Sequence, residues 1–357
     1  MLLVLTVFVP DPLAECSRDG KVERWVLLVG GTPERIGPES HQTLRDTYYF
    51  YHTLVYDKGW VSADHVMYLY SWAVPPSQIL QDYNCIDDIA NVSNVRHYIT
   101  EWLKLNADED DIVLIYIITH GRGALKDGSW PLDELGPVKA RIDESGDEGN
   151  EFYNYTSKKW FGVDEGLWFY NDNSIYWDDD FKQDLNGLPN CTQIVILQAC
   201  VSENETCFCG GFIDDLSASN RVIITSSNET YYSFGDCDGD GFSEFSGVFI
   251  DALHGYDTSW DYSNPSNPIK HEILVDADFD DNGRVSMQEA FNYALEHDEY
   301  DPNAWLDCDG DGLPTFINGQ DILDLDQHPA NVYLEAPVCA MKTLCNENLN
   351  QRIFLHA

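Results

Sequence analysis

The chain has 357 residues, of which 62 are Asp or Glu and only 20 are Lys or Arg, for a formal net charge of −42. A surface this acidic repels nucleic-acid phosphates and anionic lipid headgroups and attracts cations and basic polypeptides, so nucleic acid and anionic membranes are excluded as partners. With 43% hydrophobic and 13% aromatic residues the chain can build a sizeable core, which excludes global disorder.

In chain order, Met1 to Val9 is apolar but lacks a basic leader. It reads either as a truncated secretion signal or as a buried strand. No stretch reaches the ~18 apolar residues of a membrane span. Trp25 to Val29 is a short apolar run closed by Gly30 and Gly31, and a helix is expected from His41 to Tyr56. Val66 to Tyr70 is a second run, and Val92 to Leu105 has helical spacing, with Val95, Tyr98, Ile99 and Trp102 on one side. Ile112 to Ile118 and Gln193 to Ala199 are continuously apolar, as central parallel strands covered on both faces must be, and Arg221 to Thr225 is similar. Strands alternating with helices predict an α/β fold with a mostly parallel central sheet. The segment from Gly121 to Asn190 is too long for a plain loop. It reads as a surface excursion containing a hairpin from Leu167 to Trp177. From Tyr256 onward Asp, Asn, Gly and Pro dominate, with one helix from Ser286 to Glu296. That section reads as a loop-rich appendage whose order comes from something other than a large core.

The appendage contains a metal-type loop. Asp278, Asp280 and Asn282 alternate, Gly283 follows, and Glu289 stands at the last position of the twelve-residue EF-hand pattern. Alternate side-chain oxygens converge on a hard cation and the carbonyl of Arg284 adds another. Val285 turns inward, and Glu289 can bind through both oxygens. Two further loops share a core, one at Asp236, Asp238 and Asp240, the other at Asp307, Asp309 and Asp311. Neither has the final Glu; Glu244 and Asp321 are the nearby acids that would complete them. Ca2+ is therefore the expected cofactor, neutralising carboxylates that otherwise repel one another.

The 10 cysteines, and sequons at Asn91, Asn154, Asn190, Asn204 and Asn228, together with calcium-type loops favour an oxidising extracellular or cell-surface setting. Pairing cannot be read from sequence. Cys237 and Cys308 occupy matching loop positions, and either a bond between them or separate bonds fit. No Cys or His pairs have zinc-site spacing.

The two strongest apolar strands end at chemistry-bearing residues. The first is followed by Thr119, His120 and Gly121; the second ends in Gln198, Ala199 and Cys200. Catalysis in open parallel sheets gathers at the strands' carboxyl ends. Adjacent strands there would bring the His120 imidazole to the Cys200 thiol, which needs such a base to become a thiolate. The N–H groups of Gly121 and Cys200 would form an oxyanion hole.

Strand-His-Gly followed by strand-x-Ala-Cys resembles the caspase/legumain-type cysteine peptidases. The separation of the two blocks exceeds the ~50 residues usual for caspases, and the long excursion accounts for it. Trp25 to Gly31 resembles the first legumain strand and His41-Gln42 the His-Gln of that family; Glu244-Phe245-Ser246 resembles the segment after the fifth strand of caspase-type folds. Ser40, Pro38 and Glu203 depart from the legumain pattern. The resemblance implies a caspase-like three-layer sandwich, with residues 21–255 as the peptidase domain, 1–20 as an N-terminal segment and 256–357 as the calcium-binding region. It implies a polypeptide substrate, hydrolysis through a Cys200–His120 dyad, and substrate contacts from Gln198, Arg35 and His41. A neutral Gln198 with a nearby Arg35 or Arg45 would suit Asp or Asn at P1. The alternatives are a transpeptidase using the same dyad and a non-catalytic calcium-dependent binding module.

Overall fold

A computed structural model describes residues 20–32, 42–71, 84–122, 141–142, 152–154, 159–161, 163–199, 209–228, 233–260, 269–298 and 304–307. Its centre is a sheet built from β1 (Arg24–Gly30), β2 (Val66–Tyr70), β3 (Asp88–Ile89) and β4 (Ile112–Arg122). The short strands β5 (Arg141–Ile142) and β8 (Val163–Asp164) pair with each other, as do β6 (Phe152–Asn154) and β7 (Lys159–Phe161). A hairpin of β9 (Gly166–Phe169) and β10 (Ser174–Trp177) follows, then β11 (Thr192–Ala199) and β12 (Arg221–Thr225). Strands β13 (Tyr256–Ser259) and β14 (Ile269–Leu274) form a separate ribbon, and β15 (Trp305–Asp307) returns to the centre. Across the sheet the order is β15-β12-β11-β4-β1-β2-β3. All neighbours are parallel except β15, which runs antiparallel to β12.

The continuous apolar runs are central because both of their faces are covered. On one face, Val26, Leu28, Leu114, Tyr116, Ile194 and Ile196 pack under α1 (Gln42–His52), α5 (Glu244–His254) and α6 (Met287–His297). On the other, Leu27, Val29, Val113, Ile115, Val195 and Leu197 pack under α2 (Val92–His97), α3 (Asp178–Asn186) and α4 (Phe212–Leu216). Helix, sheet and helix thus form three layers. Each fully buried Leu or Ile contributes about 1.5–3 kcal/mol to holding them.

Two departures from the sequence reading affect the site. The expected end of β4 at Ile118 is not an end: the strand runs on to Arg122 and is joined by β9, with His120 opposite Trp168 and Gly121 opposite Leu167. The expected hairpin is present, but it extends the central sheet rather than lying over its edge. The final third also differs from an appendage ordered without a core. Met287, Ala290, Phe291 and Ala294 of α6 are buried in the main core against α5, and β15 pairs with β12. Asp307 is accordingly a fully buried strand residue, not an exposed loop ligand, while Asp309 and Asp311 lie outside the described residues.

Candidate active site

Strands β4 and β11 lie side by side in unbroken register from Ile112 opposite Thr192 to Thr119 opposite Ala199. The last matched pair therefore stands one residue before His120 and one before Cys200 in the chain. Cys200, Arg35 and His41 lie outside the described residues.

His120 is half-buried, and its ring stacks on Trp168 with centroids 5.3 Å apart and planes 27° from parallel. That contact comes from strand pairing: β9 places Trp168 directly opposite His120, and an aromatic face restricts the imidazole to a narrow set of orientations. Thr119, just before it, is fully buried. Its hydroxyl donates to the carbonyl of Trp168 at 2.5 Å and lies 3.1 Å from the Thr32 hydroxyl. Gly31 continues β1 at the same rim and donates its N–H to the Ile118 carbonyl at 2.8 Å. The backbone carrying His120 is thus fixed on two sides.

Gln198, the expected substrate-contacting residue, is fully buried at the carboxyl end of β11, and neither polar atom of its amide has a hydrogen-bond partner among the described residues. A buried amide with both ends unmet is costly, which singles the position out on a rim where ligands bind. Arg45 does not join it. Its guanidinium is buried under the acidic loop, with Nε donating to the Gly241 carbonyl at 2.5 Å and Nη2 3.9 Å from Asp236. The pocket role expected for Arg45 is replaced by anchoring of that loop. One feature was not foreseen from the sequence. Cys209, a buried free thiol, lies 3.2 Å from the Ser227 hydroxyl and 3.6 Å from that of Ser226, just past the end of β12.

The acidic loops are built as alternating carboxylates require. In the first, carboxylate oxygens of Asp236, Asp238 and Asp240 lie within 4.8 Å of one another. Burial, reinforced by Asp238 and Asp236, pushes the Asp240 carboxyl up to about 9. Glu244, the expected completing ligand, turns its Oε1 onto the backbone N–H groups of Cys237 and Asp238 at 2.5 and 3.2 Å. Cys237 is a free thiol, and Cys308 lies outside the described residues. Asp46 of α1 accepts the Ser243 N–H at 2.9 Å and its hydroxyl at 2.5 Å, tying the end of this loop to the first helix.

In the second loop, Asp278 accepts the N–H groups of Asn282 and Gly283 at 2.9 and 2.6 Å. Gly283 has φ +84°, a conformation side chains disfavour, which explains the residue type. Val285 packs against the core and Asn282 donates its amide to Asp280.

No protein-family profile matches the chain, and no curated protein does. Among solved structures, the chain is similar to caspase-1 from Spodoptera frugiperda at 12% identity and a TM-score of 0.36, over 71% of this chain and 77% of that one. It is also similar to a protein from Geobacter sulfurreducens at 13% identity and a TM-score of 0.38, over 65% and 81%.

Proposed function

We propose that the chain is a cysteine peptidase of the caspase/legumain kind, with Cys200 as nucleophile and His120 as its proton partner. The observation that carries this reading is the register of β4 with β11, which ends on Thr119 opposite Ala199 at the carboxyl rim, where open parallel sheets gather their chemistry. The stacking of His120 on Trp168 supports it by limiting the imidazole's freedom.

In the proposed reaction the Cys200 thiolate attacks the scissile carbonyl carbon. The N–H groups of Gly121 and Cys200 hold the resulting oxyanion. As the carbon–nitrogen bond breaks, the His120 imidazolium gives its proton to the leaving amine, and a thioester remains. Water then attacks the thioester, His120 takes its proton, and a carboxylate product leaves with the thiol restored. An amine in place of water gives transpeptidation from the same residues. The unmet amide of Gln198 is assigned to the P1 side chain, with Asp or Asn preferred.

The test is replacement of Cys200. Cys200→Ala, with folding verified by circular dichroism, is expected to lose cleavage of fluorogenic peptides and labelling by a thiol-reactive peptide probe, while Cys209→Ala retains both. Activity that survives in Cys200→Ala, or a Cys200 that resists labelling, refutes the peptidase and leaves the non-catalytic binding module. Among peptides differing only at P1, fastest cleavage after Arg or Lys refutes the role of Gln198.

A further inference from the structure

Glu289 sets the Asp278 loop apart from an ordinary acidic turn. It begins its second task as a helix cap: Ser286 and Glu289 form a reciprocal capping box, in which Ser286 N–H donates to Glu289 Oε2 at 2.7 Å and Glu289 N–H donates to Ser286 Oγ at 3.2 Å. The other oxygen, Oε1, is buried and has no hydrogen-bond partner among the described residues, and the residue as a whole is only 6% exposed. A carboxylate oxygen of Glu289 lies within 4.8 Å of oxygens from both Asp278 and Asp280. A buried carboxylate with one oxygen short of a hydrogen-bond partner, beside two further carboxylates, is an unfavourable arrangement unless a cation joins it.

We infer that the loop from Asp278 to Glu289 binds one Ca2+, and that Glu289 serves it through Oε1 alone while Oε2 stays on the Ser286 N–H. The protein ligands are then the carboxylates of Asp278, Asp280 and Glu289, the side-chain oxygen of Asn282 and the carbonyl of Arg284, with water filling the remaining positions. An oxygen-only set on an adaptable loop suits Ca2+, whereas Mg2+ gives up its water reluctantly and takes few protein carboxylates. The ion joins the loop to the first turn of α6. Because Met287, Ala290 and Phe291 of that helix are in the main core, binding stabilises the whole fold rather than a detached appendage. This inference is independent of the peptidase reading.

The experiment is calorimetric titration of the full chain with CaCl2 and, separately, MgCl2, paired with thermal melting. Wild type is expected to bind Ca2+ and melt higher with it, with Mg2+ at least tenfold weaker. Asp280→Ala, at an exposed position that cannot unfold the helix, and Glu289→Gln, which keeps an acceptor for the cap, are each expected to weaken binding to this site at least tenfold and to remove its share of the melting shift. Glu101→Gln, an exposed carboxylate outside both acidic loops, leaves both unchanged. No binding by wild type at millimolar Ca2+, unchanged affinity in Asp280→Ala, equal affinity for Mg2+, or loss of the signal in Glu101→Gln overturns the inference.

Discussion

Replacing Gly31 by Ala tests how tightly the rim beneath His120 is built. A Cβ at Gly31 would stand 2.4 Å from Thr119 Oγ1, 2.6 Å from Thr119 Cβ and 3.1 Å from a ring carbon of Phe169. Comfortable carbon contacts begin near 3.5 Å, so the overlap with Thr119 is about 1 Å. Thr119 cannot swing aside freely, since its hydroxyl is bonded to Trp168 and sits beside Thr32, and both Thr119 and Phe169 are fully buried. The expected cost is at the upper end for overpacking, about 2–3 kcal/mol. Gly59 supplies the control. It has φ +63° but nothing within 4 Å of an added Cβ, so Gly59→Ala carries backbone strain alone, about 1–2 kcal/mol. Urea unfolding followed by tryptophan fluorescence measures both, provided the slope stays constant. Adding Thr119→Ala to Gly31→Ala should recover part of the loss, with a coupling of at least about 0.5 kcal/mol. A Gly31→Ala variant no less stable than Gly59→Ala, or strict additivity with Thr119→Ala, refutes the close-packed rim.

Two further predictions concern buried acids. Burial pushes the Asp251 carboxyl well above the ordinary carboxylate range, against hydrogen bonds from Tyr49 and Thr258 that work the other way. An acid raised on folding binds more protons in the folded state, so its stabilising contribution is complete below about pH 4 and is lost as pH rises toward the folded value. Asp251→Asn should therefore gain melting temperature relative to wild type between pH 5 and pH 8 in scanning calorimetry; a difference that is flat or moves the other way contradicts the assignment. Asp184 accepts the Tyr176 hydroxyl at 2.6 Å and Arg96 Nε and Nη2 at 2.7 and 3.1 Å. Asp184→Ala leaves a buried hydroxyl unmet, and with Arg96 partly solvated the loss should be about 2–3 kcal/mol in urea unfolding; less than about 0.5 kcal/mol would show that the network is dispensable.

The central strands were legible because a run buried on both faces must be almost wholly apolar, as Ile112 to Ile118 and Ile194 to Leu197 are. The hairpin around Asn173 was legible from its turn composition. Its docking onto β4 was not, because nothing local to Trp168 signals a partner as distant in sequence as His120. Helix α5 carries both end signals, Ser243 before it and Gly255 at φ +80° after it, but they sit beside an Asp-rich loop that dominates the local pattern. Arg45 illustrates the same limit: a basic residue near a helix start suits a substrate pocket or a carboxylate turn equally well, and only tertiary contact with Gly241 and Asp236 separates them. The turn and cap of the Asp278 loop were readable because its alternating acids, Gly283 and the Ser286–Glu289 capping box are contiguous.

The pairing of β15 with β12 has a consequence for solubility. The outer hydrogen-bonding groups of β12 from Ile223 to Thr225 are occupied by the protein's own returning chain, and the segment that takes over as the new border is only three residues long. The opposite border, β3, is two residues long. Among the described residues, each flank therefore offers a neighbouring copy only a short ladder on which to extend the sheet, and brevity at a border works against intermolecular strand addition.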